Sequence, residues 1–122
     1  GERIAWFQLS NYYRRMEAHD AVRSLAALAQ PVRLQVFRAL VVAGPEGMTP
    51  GALVDAIAVP GTSLSFHLKE LLHSSMVTQE RNGRNLIYRA AFGRMSALIG
   101  YLTENCCEGE ACAASTAVAP RG

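Results

Sequence analysis

Cys106, Cys107 and Cys112 are the only cysteines in the chain, and they fall within seven residues of one another. An odd number packed this tightly cannot staple distant parts of a fold, so this is not a disulfide framework. In a reducing compartment such a cluster binds metal or does redox chemistry. No histidine lies within ten residues of it. Three thiolates alone suit a soft ion that takes three ligands. Zinc prefers four nitrogen or sulfur ligands in a closed site and would have to add Glu104, Glu108, Glu110 or water. Cadmium or lead on three sulfurs satisfies the same donors. Helix geometry sets one condition. Adjacent residues of an intact helix point about 100° apart, so Cys106 and Cys107 can share an ion only where the helix ends, near Asn105. Gly109 then leaves the chain free to fold Cys112 back.

A second set of residues has the chemistry of DNA contact. Leu64, Leu68, Leu71 and Leu72 fall on one narrow face of a predicted helix. Opposite them lie Thr62, Ser63, Phe66, Lys69, Glu70 and His73, with Ser65 and His67 on the flanks. Short hydroxyls, an imidazole and an ammonium near a helix start suit entry into a major groove, where free amides can also meet a phosphate. Phe66 is out of place on a solvated face, and contact with a thymine methyl is one use for it. Arg81, Asn82, Gly83 and Arg84 then form the tip of a hairpin, with Arg89 on the return strand. Such a tip reaches neighbouring phosphates or a minor groove. An ordinary amphipathic helix has a similar polar side, and arginine on a ribbon edge can simply resist aggregation. Both features in this order point to DNA.

The elements that must position these residues are marked by proline and glycine. Residues 1–16 carry a helical stripe of Trp6, Leu9, Tyr13 and Met16, and 1–15 is either a leader or a helix extension. Residues 18–29 form an Ala-rich helix with Val22, Leu25, Ala26 and Ala29 on one side. Pro31 opens a second helix, at a position where its missing N–H costs nothing. That helix presents Leu34, Phe37 and Val41 on one face, with Val36 and Leu40 beside them, and Gly44-Pro45 stops it. Thr49-Pro50 opens a third, with Leu53, Ala56 and Ile57 facing inward, and Pro60-Gly61 closes it. The leucine-faced helix spans about 62–74. The period then switches to strand-like, with Val77–Arg81 and Leu86–Arg89 flanking an expected type I′ turn at Asn82-Gly83. A last helix, about 92–105, carries Met95, Leu98, Ile99 and Leu102. The expected fold is mostly α with a small β-hairpin: a winged helix-turn-helix, α-α-α-α-β-β-α, over residues 16–105. Residues 106–122 are expected to be a cysteine-containing sensor segment and flexible tail.

Composition sets the outer bounds. The chain has 122 residues, half of them hydrophobic, which fits one domain with a real core. Its net charge of +2 is too mild to demonstrate a nucleic-acid partner. No apolar run approaches the ~18–20 residues of a membrane span, and no secretory signal is visible. A cytoplasmic protein with no membrane partner is expected.

Three segments carry a family resemblance. Leu28-Ala29-Gln30-Pro31-Val32-Arg33-Leu34 resembles the "LADPxRL" junction of the ArsR/SmtB family of metal- and metalloid-responsive repressors. Thr62-Ser63-Leu64-Ser65-Phe66-His67-Leu68-Lys69 is similar to its recognition-helix pattern, S-x-V-S-x-H-L-K in outline. Arg81-Asn82-Gly83-Arg84 with Ile87-Tyr88-Arg89 resembles its wing. The match covers about residues 20–105. It implies a homodimer built on the first and last helices, bound to double-stranded operator DNA without a cofactor and released when an ion binds. One segment departs from the family. Where many arsenical sensors have "ELCVCDL", this chain reads Gly47-Met48-Thr49-Pro50-Gly51-Ala52-Leu53, with no sulfur at the two cysteine positions. The last helix also lacks the Asp/His pairs of the zinc sensors.

Cys106, Cys107 and Cys112 instead resemble the C-terminal three-cysteine site of an arsenical subgroup. Arsenite and antimonite fit three thiolates because a lone pair fills the fourth direction. The helix dipole and three glutamates disfavour free thiolates. Neutral thiols condensing with neutral arsenous acid build no charge, so these surroundings are no obstacle. The expected function is an As(III)- or Sb(III)-responsive repressor. The alternatives are the same fold triggered by cadmium, lead or thiol oxidation, or a small thiol enzyme. An enzyme of that kind needs an anion-binding loop around its cysteine, yet no basic residue follows Cys106 until Arg121. His19 and His73 are expected at the surface.

Overall fold

The structure, a computed structural model, describes residues 16–109. The expectations for residues 1–15, for Cys112 and for the rest of the tail lie outside these residues. Five helices and a two-stranded hairpin follow one another in the expected order.

Helix α1, Ala18–Leu28, meets the core through Ala21, Ser24 and Ala27, a stripe of small side chains. The buried Ser24 hydroxyl donates to the Asp20 carbonyl at 2.9 Å, so no polar group is stranded there. The side holding Val22, Leu25, Ala26 and Ala29 is exposed. Helix α2, Pro31–Ala43, has Pro31 in its first turn and Gln30 as its cap, the side chain accepting from the Arg33 amide at 2.9 Å. It buries Val36, Phe37 and Leu40. Leu34, expected beside Phe37, is exposed instead. Two residues are about 200° of helix, so once Val36 points inward Leu34 must point out.

Helix α3, Pro50–Ile57, begins as its sequence dictates: Thr49 Oγ1 accepts from the Ala52 amide at 3.2 Å. It ends before Pro60, on Ala58 in the left-handed conformation. Leu53 is its buried anchor. Ala56, expected inward, is exposed and lines a shallow apolar groove with Val42 and Met48. So short a helix inserts little more than one turn. Helix α4, Gly61–His73, buries Leu64, Leu68 and Leu71 as expected. It closes on Ser75, whose φ is +67°, with the Met76 amide bonding back to the Leu71 carbonyl at 3.1 Å.

Strands β1, Val77–Asn82, and β2, Asn85–Ala90, pair antiparallel with Val77 opposite Ala90 and Asn82 opposite Asn85. The loop is therefore Gly83-Arg84, one residue later than expected. Only Gly83, at φ +66°, takes a positive φ here. A turn with glycine in its first central position needs just one such residue, whereas a type I′ turn would also force Asn82 out of the ladder. Met48 adds a short third edge, exchanging hydrogen bonds with Tyr88 at 2.9 and 2.8 Å.

Helix α5, Phe92–Leu102, stops three residues short of the expected end. Thr103 ends it, its hydroxyl donating to the Ile99 carbonyl at 2.8 Å. The Thr103 amide bonds to the same carbonyl at 3.0 Å, so the hydroxyl competes for the Ile99 oxygen at the point where the helix stops. The core joins α1 to α5 and the base of the hairpin, with Leu40, Leu53, Leu71 and Met76 wholly buried. No single described helix is long and apolar enough to cross a membrane.

Candidate nucleic-acid interface and thiol pair

The leucine face of α4 fixes what its other side presents. With Leu64, Leu68 and Leu71 in the core, Thr62, Ser63, Ser65, Phe66 and Lys69 are all exposed. Phe66 is 56% exposed, a large cost for an aromatic ring with nothing to cover it. No side chain caps the first turn of α4, so its amides have no competitor for an anion. The wing tip is equally open: Arg81, Asn82, Gly83 and Arg84 are exposed. Hydroxyls, an aromatic ring and an ammonium on one helix, with two arginines on a hairpin, can read base edges and neutralise phosphates.

His67 departs from this pattern. It is half-buried, with Nδ1 3.2 Å from a guanidinium nitrogen of Arg33. Its ring meets Phe66 edge-on, centroids 5.4 Å apart. Burial, and then the Arg33 charge, hold the imidazole below its ordinary pKa of 6.5, opposed by Glu70. One nitrogen of His67 is thus engaged inside the protein, which qualifies its expected place at the interface. Arg89, on the return strand, is engaged too. It donates to the Pro45 carbonyl and to Glu80, both at 2.6 Å, and so braces the wing.

Two residues that hold α4 are not marked by the sequence as functional side chains. Arg23 on α1 donates to the His73 carbonyl at 2.6 Å, closing the end of α4. Arg33 donates through Nε to the Ala27 carbonyl at 2.7 Å while it faces His67. A signal for Arg33 was present. A cation in the first turn of a helix opposes the dipole, and it is tolerated where a partner supplies compensation.

His19 and His73 are exposed, as expected. On α5, Arg94 reaches Ser24 Oγ at 3.3 Å and Asp20 at 3.8 Å, so α5 lies against α1. The outer sides of the two helices remain apolar: Val22 is 64% exposed, Ile99 54% and Leu102 56%.

Beyond α5 the backbone turns left-handed at Asn105 and again at Cys107, with φ of +58° and +54°. Cys106–Gly109 forms a short 3-10 turn. The adjacent sulfurs of Cys106 and Cys107, both exposed, come to 3.6 Å. An intact helix would have splayed them. At a metal–sulfur bond of ~2.3 Å, that separation subtends about 103° at a shared ion, close to tetrahedral. Among the described residues, no group of three His, Cys, Asp or Glu side chains is gathered for a metal ion.

The comparisons agree with this architecture. A helix-turn-helix domain model matches residues 28–80. The HTH-type transcriptional repressor SmtB of Mycobacterium tuberculosis is 40% identical over 75 residues, covering 62% of this chain and 53% of that protein. The chain thus spans about half the length of the curated relatives it matches. An ArsR-like transcriptional regulator from Rhodococcus sp. RHA1 superposes with a TM-score of 0.65 at 21% identity, over 74% of this chain and 82% of that one. The homodimeric winged helix-turn-helix domain Mb0332 of Mycobacterium bovis, described as a possible ArsR-family regulator, gives 0.56 at 27% identity, over 77% and 87%. These relatives carry the names of transcriptional regulators, not of enzymes. With the junction at Leu28–Leu34, the α4 pattern and the wing in register on this fold, the chain is similar to ArsR/SmtB-type transcriptional regulators over the winged helix-turn-helix.

Proposed function

We propose that this chain is the DNA-binding and sensing part of a homodimeric transcriptional repressor, acting in the cytoplasm. It occupies operator DNA when ion-free and lets go when As(III) or Sb(III) reaches Cys106, Cys107 and Cys112. The observation that carries the DNA half is the exposed polar face of α4 together with the arginine-tipped wing. Thr62, Ser63, Ser65 and Phe66 enter the major groove, Lys69 meets backbone, and Arg81 to Arg84 reach flanking phosphates. His67 contributes from the flank of the same face. The names of the mycobacterial and rhodococcal relatives support repression of transcription.

The apolar outer sides of α1 and α5 support pairing across a two-fold axis. The homodimeric Mb0332 domain supports it further. For the inducer, the support is the 3.6 Å approach of two soft donors in a turn that follows the dimer helix. Three thiols condensing with arsenous acid release one water for each As–S bond formed and build no net charge. Drawing Cys112 onto the ion beside Cys106 and Cys107 displaces the end of α5, and a shift there re-aims both α4 helices together. The same 3.6 Å approach favours a second reading, in which a peroxide takes two electrons and two protons from the pair and leaves a disulfide. Titrating a protein–promoter complex separately with arsenite, antimonite, cadmium, zinc and hydrogen peroxide separates these readings. Release by arsenite or antimonite at stoichiometric amounts supports the proposal; release by none of the five overturns the sensing half.

A further inference from the structure

We propose that Arg33 and His67 are positioning residues for the recognition helix, Arg33 tying the end of α1 to His67 Nδ1 and so fixing how α4 presents Phe66. This rests on the DNA-binding reading of α4. Arg33 Nε donates to the Ala27 carbonyl at 2.7 Å, and NH1 lies 3.2 Å from His67 Nδ1. Its own amide is held by Gln30 at 2.9 Å. One side chain on α2 therefore joins the C-terminal turn of α1 to the middle of α4. Arg23 gives a second tie between α1 and α4, at the His73 carbonyl. Those two ties fix the tilt of α4, but only the first acts on its rotation, because His67 lies one residue from the exposed Phe66 and touches its ring.

The chemistry of the contact demands one form of the imidazole. A guanidinium is a donor only, so Nδ1 must be the unprotonated acceptor and the proton must sit on Nε2. Protonating Nδ1 sets a donor against a donor and a cation against a cation. The charged groups around the ring are Arg33 from α2 and Glu70 from α4 itself, and burial adds to Arg33 in favouring the neutral form. Acidification therefore releases His67 from Arg33. The sign of the consequence is diagnostic. A histidine that merely contacts DNA gains charge on acidification and tightens binding. A positioning histidine loses its hold and weakens binding.

The test measures binding of a promoter duplex by fluorescence anisotropy between pH 7.5 and 5.5, at constant salt. Wild type should weaken about tenfold as pH falls, the size of one charge-assisted hydrogen bond. His67→Asn, whose Oδ1 replaces Nδ1 as a permanent acceptor, should have the same affinity at pH 5.5 as at pH 7.5, whatever the absolute value. Wild-type binding that tightens on acidification overturns the proposal, as does a His67→Asn profile that parallels wild type. Nitrogen-15 spectra of the free protein supply a readout that does not involve DNA. A hydrogen-bonded, unprotonated Nδ1 whose nitrogen-15 shift moves to that of a free acceptor in Arg33→Ala supports the contact, and an Nδ1–H tautomer in wild type refutes it. Absence of any duplex binding at pH 7.5 would instead remove the DNA-binding reading and leave the tautomer result standing.

Discussion

The Tyr88 carbonyl oxygen lies 2.5 Å from the point that a Cβ on Gly47 would occupy, with Ile87 and Arg89 side-chain atoms at 2.8 Å. Gly47 also has a φ of +69°. The hydrogen bonds between Met48 and Tyr88 that seat the wing on the body thus depend on a neighbour with no side chain. Gly47→Ala should cost at least about 2 kcal/mol, combining left-handed strain with a backbone clash. DNA affinity should fall further than stability alone explains, because the wing must lift. Urea midpoints and mobility shifts on the same preparation check this; an unchanged midpoint would show that the wing is not seated through Gly47.

Arg84 and Arg89 should behave differently although both are wing arginines. Arg84 is exposed at the tip, so Arg84→Ala should weaken binding to every sequence and flatten the salt dependence by about 0.9 for each phosphate it no longer neutralises. Arg89 is braced on Glu80 and Pro45, so Arg89→Ala should mainly lower thermal stability, by up to about 1 kcal/mol for a partly exposed pair. Ser65→Ala and Phe66→Ala should instead change sequence preference. A salt slope that is steady in Arg84→Ala and reduced in Arg89→Ala would reverse the assignment.

The exposed residues Val22, Ile99 and Leu102 are expected to meet a second copy of the chain. Leu102→Glu should yield a monomer by analytical ultracentrifugation at micromolar concentration, with DNA binding reduced to the weak half-site level. In the dimer the two α4 helices should engage half-sites about 34 Å apart, one helical turn of DNA. A Leu102→Glu protein that still sediments as a dimer places the interface elsewhere.

Most of the fold was legible because its punctuation is chemical. Thr49-Pro50 marks a helix start by capping and Pro31 another by its place in a first turn, and the leucines of α4 mark a buried face by period. What the sequence misassigned are choices between nearly equal options. Leu34 and Val36 both suit a core, and only packing decides which turns inward. Asn82-Gly83 and Gly83-Arg84 both suit a tight turn, and the ladder from Val77 to Asn82 decides. The outward residues of α4 follow from the buried ones, so their exposure was legible too. Arg23 was not, because it acts on a carbonyl far along the chain, and of Arg33 only its place in a first turn was legible, not its partner on α4. The helix end near Asn105 was legible, since asparagine takes the left-handed conformation readily, but the left-handed Cys107 was not.

His67 also makes stability depend on pH. The fold favours the neutral imidazole, so its contribution is fully present above the unfolded-state pKa of about 6.5 and is lost as pH falls through the lower folded-state value. Wild type should therefore lose more melting temperature between pH 7 and pH 5 than His67→Asn does. Equal losses in the two proteins would show that other groups carry the acid sensitivity.

The cysteines should be needed for sensing and not for DNA binding. Cys106 and Cys107 lie in the turn after α5, outside α4 and the wing, so replacing a sulfur by oxygen should leave the exposed face of α4 unchanged. Moving a repressor from nearly all bound to nearly all free takes about 5.5 kcal/mol of differential affinity. Three sulfur bonds to one soft ion can supply that, whereas a surface contact of about 1 kcal/mol cannot. By linkage, operator DNA must weaken arsenite binding by the same factor that arsenite weakens DNA binding. Cys106→Ser, Cys107→Ser and Cys112→Ser should each bind a promoter duplex with near wild-type affinity. Each should lose arsenite-driven release, most severely in the two mutants of the 3.6 Å pair, because the turn already holds those sulfurs together. If all three mutants still release DNA on arsenite addition, the metalloid binds elsewhere and the thiol pair has another role.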